Sequence, residues 1–132
     1  MGTHWKLIAC LTVVTLLGIL QMNEAAPPAK AKLLRHVVLF TFKAEATPAQ
    51  VDELVKAFGQ LPSQIKEIHD YEWGTNNSPE GLNKGHTHCF LVTFKSEQDR
   101  DAYLPHASHQ AFVAKLKPLL EDVTVVDYWA EE

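Results

Sequence analysis

The chain has 132 residues, enough for one domain. Twelve Lys and Arg stand against sixteen Asp and Glu. No basic run interrupts that mildly acidic balance, so the electrostatic footprint of a DNA- or RNA-binding protein is missing and the sequence argues against nucleic acid as a partner.

Residues 1–26 read as a leader. Lys6 precedes the uncharged run LIACLTVVTLLGIL (Leu7–Leu20), and the polar QMNE and the small pair Ala25 and Ala26 follow, which is the order of a secretory signal peptide. The apolar run has 14 residues where a membrane-spanning helix needs about 20. The expectation is an exported protein, periplasmic or extracellular after leader removal, without a stable membrane anchor. Removal takes Cys10 away and leaves Cys89, which excludes an intrachain disulfide or a cysteine zinc cluster in the mature chain. Cys89 then reads as a small buried apolar residue. Residues 27–33 form a Pro/Ala/Lys linker, and the folded domain is expected over 34–130.

RHVVLFTFK (Arg35–Lys43) is β-branched and aromatic enough for a strand. Alternation sends His36, Val38, Phe40 and Phe42 to one face and Val37, Leu39 and Thr41 to the other. An amphipathic helix follows: Thr47 caps it, Pro48 suits its first position, Gln50 completes a capping box, and Val51, Leu54, Val55, Phe58 and Leu61 form one stripe. HDYEWGT (His69–Thr75) alternates as a strand, with His69 at the surface; NNSPEGLNKG is a loop, and HTHCFLVTF (His86–Phe94) is the next strand. Ser96 caps a second helix with Glu97 and Asp99 at its positive end. After Pro105 the helical pattern resumes with His109, Phe112, Val113, Leu116 and Leu120, and Pro118 shortens the last turn. VTVVDYW (Val123–Trp129) is the final strand.

This order gives an α+β fold: a ferredoxin-like βαββαβ protomer with a four-stranded antiparallel sheet and helices on one face. The strands are apolar on both sides, however. Leaving Val37, Leu39, Cys89 and Leu91 wet, at ~25 cal/mol per Å² of apolar surface, would use up much of the ~5–15 kcal/mol that holds a domain together. A second copy stacked on that face is the simplest cover, so a homodimer is expected.

RHVVLFTFK, YEWG (Tyr71–Gly74), HTHCFLVTF, YLPHASHQAF (Tyr103–Phe112) and LKPLLEDVTVVDYW, in this order and spacing, resemble the stress-responsive dimeric α/β-barrel (Dabb) family from about Leu34 to Trp129. The resemblance implies ferredoxin-like protomers stacked sheet to sheet into a barrel. It also implies that the catalytic tyrosine and histidine of one plant member, which cyclises a polyketide thioester by aldol condensation, fall on Tyr103 and His109, with cavity histidines at His36 and His88. One departure stands out: the family's P-H-P-x-H stretch is Pro105, His106, Ala107, Ser108 and His109 here. The missing proline frees a φ angle and restores a backbone donor, with a shift of His106 relative to His109 as the expected consequence.

The residues also suggest a site without that resemblance. His109 shares the inward stripe of its helix, and Tyr103 lies just before the turn that starts it, so the pair could act as acid and base or fill a polar spot in the core. The expected cavity lies between sheet and helices, with His36, His88, His106, Phe40, Phe90 and Trp73 as further pocket residues. His86 and His88 share a strand face in this reading, with His36 within reach. His-x-His without an acidic ligand at the right spacing is a weak metal signal, so neither a metal nor another cofactor is expected.

Three functions fit. The first is a noncatalytic, stress-related dimeric barrel whose cavity is filled or binds a small hydrophobic molecule. The second is a cyclase- or lyase-like enzyme using Tyr103 and His109. The third, by fold analogy alone, is a cofactor-independent or haem-degrading monooxygenase-like enzyme.

Overall fold

A computed structural model describes residues 31–131; the leader expected over 1–26 and most of the 27–33 linker lie outside them. The elements are β1 (Leu34–Phe42), α1 (Pro48–Gln64), β2 (Asp70–Thr75), β3 (His88–Phe94), α2 (Glu97–Tyr103), α3 (Ala107–Leu116) and β4 (Leu120–Trp129). The strands form one antiparallel sheet in the order β2-β3-β1-β4, so the expected ferredoxin-like α+β fold is present.

Local chemistry explains where the elements begin. At the start of α1 the Thr47 hydroxyl accepts from the Gln50 amide at 3.3 Å, and the Gln50 side chain accepts from the Thr47 amide at 2.9 Å. The two otherwise orphaned donors are satisfied reciprocally. The helix then runs past the expected end of its stripe to Gln64, with Pro62 inside it. The second helical segment starts at Ser96, whose hydroxyl accepts from the Asp99 amide, and breaks before Pro105 into α2 and α3. Lys117 caps α3, just before Pro118.

Strand boundaries differ from the pattern by a few residues. β3 begins at His88 rather than His86 because Lys84 (φ 53°) and Gly85 (φ 84°) turn the chain through the left-handed region just before it. β4 begins at Leu120 because Leu120 pairs with Phe42 beyond a register shift at Thr41/Phe42. The shift extends the strand into what reads as the tail of a helical stripe.

The helix-facing side of the sheet is the core. Val38, Phe40, Phe90, Val92 and Phe94 pack against Leu54, Phe58, Leu61, Phe112 and Leu116. Phe58 is the central plate, with Phe90 and Phe112 each 4.6 Å away between ring centroids. Among the described residues no helix covers the opposite side. Cys89 is exposed there, which corrects the expectation that it is buried: its strand position points it away from the helices. No helix among the described residues is long and apolar enough to cross a membrane.

Candidate functional site

Between α3 and the β1–β4 half of the sheet lies a cavity of about 330 Å³. Its wall is apolar, including Val38, Phe40, Phe58, Leu116 and Val125, apart from His36, Tyr103, His109 and Lys117. Tyr103 and His109 are in contact, with ring centroids 4.2 Å apart, and the His36 ring meets Tyr103 edge-on at 5.9 Å.

The break between α2 and α3 builds this polar corner. In an unbroken helix the Leu104 carbonyl would accept from the amide of residue 108, but the Ser108 amide donates instead to the His106 ring at 3.1 Å. The Leu104 carbonyl is thereby freed for side chains. It accepts from His109 Nδ1 at 2.8 Å and from Gln110 Nε2 at 2.7 Å. A carbonyl can only accept, so His109 carries its proton on Nδ1 and presents the Nε2 lone pair.

Burial is the main force holding the His109 pKa below its ordinary 6.5; His36 and His106 add to the lowering, and the Leu104 hydrogen bond opposes it. His109 is therefore a neutral imidazole near neutral pH. Burial, reinforced by Tyr71, pushes the Tyr103 hydroxyl far above its usual range, so it stays a neutral donor. A neutral base touching a neutral phenol in an apolar cavity can accept a proton at one group and supply a hydrogen bond or proton at the other.

His36 enters the same corner from β1. Its Nδ1 lies 2.6 Å from Asp127 Oδ1, and Arg100 Nη1 donates to Asp127 Oδ2 at 3.2 Å. Neither Asp127, Arg100 nor the Leu104 carbonyl emerged from the sequence. The available signals were an acidic residue inside an apolar strand and a proline that strands the carbonyl before it.

The cavity thus gathers Tyr103, His109, His36 and Phe40, but not the other expected pocket residues. His106 is the N-cap of α3 and turns its ring to the helix start. Phe90 is fully buried in the core. His88 pairs across from Phe40 while His36 pairs across from Val92, a separation of roughly 13 Å along the sheet at ~3.3 Å per residue. There His88 stacks on the exposed Trp73, with the two rings 6° from parallel. Both belong to a broad depression of about 540 Å³ at the β2 edge, which contains neither Tyr103 nor His109. Nor do His86 and His88 share a face: the turn before β3 places the His86 ring between Thr41 and Thr124, at 3.0 and 2.9 Å, on the uncovered side. Among the described residues no group of three His, Cys, Asp or Glu could hold a metal ion.

Comparison with known proteins gives the relatives. HS1 of Arabidopsis thaliana, a stress-response A/B barrel domain-containing protein, is 35% identical over 81% of this chain and 94% of its own length. Olivetolic acid cyclase of Cannabis sativa is 30% identical over 72% of this chain and 94% of its own. The solved hydroxynitrile lyase from Passiflora edulis superposes with a TM-score of 0.73 at 26% identity, covering 77% of this chain and 96% of that one. A dimeric ferredoxin-like protein of unknown function from Thermobifida fusca gives 0.64 at 28%, covering 76% and 93%. The family described as the stress responsive A/B barrel domain matches residues 34–130, and the chain belongs to it.

Proposed function

We propose that the protein is an exported homodimeric barrel whose cavity binds a small, largely apolar molecule, with the molecule's polar end against Tyr103 and His109. The supporting observation is the meeting of two neutral, hydrogen-bonding rings in an otherwise apolar cavity of about 330 Å³, the usual composition of a small-molecule site. The dimeric state of the Thermobifida fusca relative supports the dimer. The leader-like order of residues 1–26 supports export; intact mass of the protein from its host checks it, and a mass retaining Met1 overturns it.

The binding reading is tested with p-cresol, an apolar ring with one hydroxyl. His109→Ala should weaken its binding about tenfold, the worth of one good hydrogen bond, with little loss of melting temperature. A large stability loss with unchanged binding would show that His109 only completes the core.

A second reading is favoured by the His109 tautomer: Nε2 is free to take a proton while Tyr103 donates. Two relatives carry enzyme names, a cyclase and a lyase. In this reading the bound molecule also reacts, through proton transfer at a carbon or oxygen held between the two rings. Turnover lost in both His109→Gln and Tyr103→Phe supports it; turnover retained in both removes it.

A further inference from the structure

We propose that Asp127 is a positioning residue that fixes the tautomer of His36, making the cavity selective for ligands that bring a hydroxyl donor on an apolar body. The inference rests on the reading that the cavity binds a small molecule.

A carboxylate only accepts, so the 2.6 Å contact between Asp127 Oδ1 and His36 Nδ1 puts a proton on Nδ1, and in the neutral ring this leaves Nε2 as an acceptor. The ring lines the cavity, and Nε2 has no hydrogen-bond partner among the described residues. The Tyr71 hydroxyl is the one buried side-chain polar atom without a partner there. Nε2 of His36 is therefore open to the cavity rather than sealed in protein.

Asp127 is itself held from the other side. It lies directly across from His36 in the β1–β4 register, and Arg100 reaches from α2 to its second oxygen. With both oxygens engaged, the carboxylate has a fixed orientation, and so has the ring it holds. His109 reaches the same state by a separate route, through the Leu104 carbonyl. Two imidazoles that each meet the Tyr103 ring thus present lone pairs to the cavity. A ligand whose polar groups only accept finds a donor at Tyr103 but repulsion at both imidazoles, whereas a hydroxyl can donate to either. Leaving such a nitrogen unpaired on binding is what discriminates against the ligand that lacks the hydroxyl.

The tautomer is read directly by nitrogen-15 NMR of the histidine rings in the full protein, without any ligand. The expected result is a lone-pair-type Nε2 signal for His36 in the native protein. It should be kept in Arg100→Gln, where the carboxylate remains, and lost or mixed in Asp127→Asn, whose amide can donate as well as accept. A native His36 with its proton on Nε2, or an unchanged signal in Asp127→Asn, overturns the proposal.

Selectivity is read by comparing p-cresol with p-methylanisole, the same ring with its hydroxyl methylated. The native protein should favour the phenol about tenfold, and Asp127→Asn should narrow that preference chiefly by weakening p-cresol rather than p-methylanisole. Equal binding of the two probes to the native protein overturns the selectivity. If neither probe binds, the cavity reading fails, while the NMR result still decides the role of Asp127. Should Asp127→Asn fail to fold, His36→Phe supplies the second variant: its ring keeps the packing but presents no acceptor to the cavity, and the phenol preference should fall in the same way.

Discussion

The Leu104 carbonyl decides the state of His109, and that makes one residue sensitive to pH. Because burial keeps the folded-state pKa of His109 below 6.5, the unfolded chain binds more protons than the folded one between those two values. Stability tied to the neutral ring is therefore fully present above pH 6.5 and is lost as pH falls through 6.5 toward the folded pKa. His88 is lowered in the same direction, chiefly by burial. Thermal melts between pH 8 and pH 5 should fall on acidification, and His109→Gln should reduce that slope; a slope unchanged by the substitution would remove His109 as its source. Tyr71 gives a test of opposite sign. Its hydroxyl is buried without a partner among the described residues, so Tyr71→Phe removes a desolvated polar group and should stabilise by about 1 kcal/mol in denaturant unfolding. Residue-level chemistry was only partly legible in the sequence. The inward direction of His109 followed from helical spacing, but its partner is a backbone carbonyl that no side-chain pattern encodes. Asp127 gains its role only from the strand register that brings it opposite His36.

Periodicity located the elements well because it reports burial, and burial is what the helices and strands share with the core. The stripe on α1 and the alternation on β1 both survive intact in the structure. Ends were less legible where long-range pairing sets them: β4 starts at Leu120 through its partner Phe42, and β3 starts after a turn made by Lys84 and Gly85. The missing proline in the Pro105–His109 stretch resolves at this scale too. Ala107 is the first residue of α3, where proline is well tolerated because that amide needs no helical partner. His106 before it has φ −59° and ψ 136°, a conformation that a following proline favours. Its ring still caps the helix. Ala107→Pro should therefore stabilise by about 0.4–1 kcal/mol through the unfolded chain, measurable as a raised denaturation midpoint with an unchanged slope. A destabilised variant would mean that the start of α3 is held by something other than its cap.

At the scale of the whole molecule the helices cover one face of the sheet, and Val37, Leu39, Leu91 and Val126 share the other with Cys89, Thr93 and Tyr128. Val126 and Tyr128 are about half exposed, at 51% and 47%. A twofold contact between two such faces is self-complementary, and it would bury the apolar centre while leaving Arg35, Glu72 and Asp122 toward the rim. The expected outcome is a light-scattering mass of twice the chain at micromolar concentration. Leu91→Lys places an unpaired charge at the centre of that contact and should yield a monomer, since burying such a charge costs several kcal/mol. Cys89 supplies an independent readout, because it lies beside Leu91 on the same face and is exposed in the single protomer. Its thiol pKa is raised, first by burial and then by Glu72, so labelling should be compared at one fixed pH. A thiol reagent should modify Cys89 slowly in the native protein and much faster in Leu91→Lys. Equal labelling rates, together with a native protein of single-chain mass, would mean that the open face is not covered by a second copy.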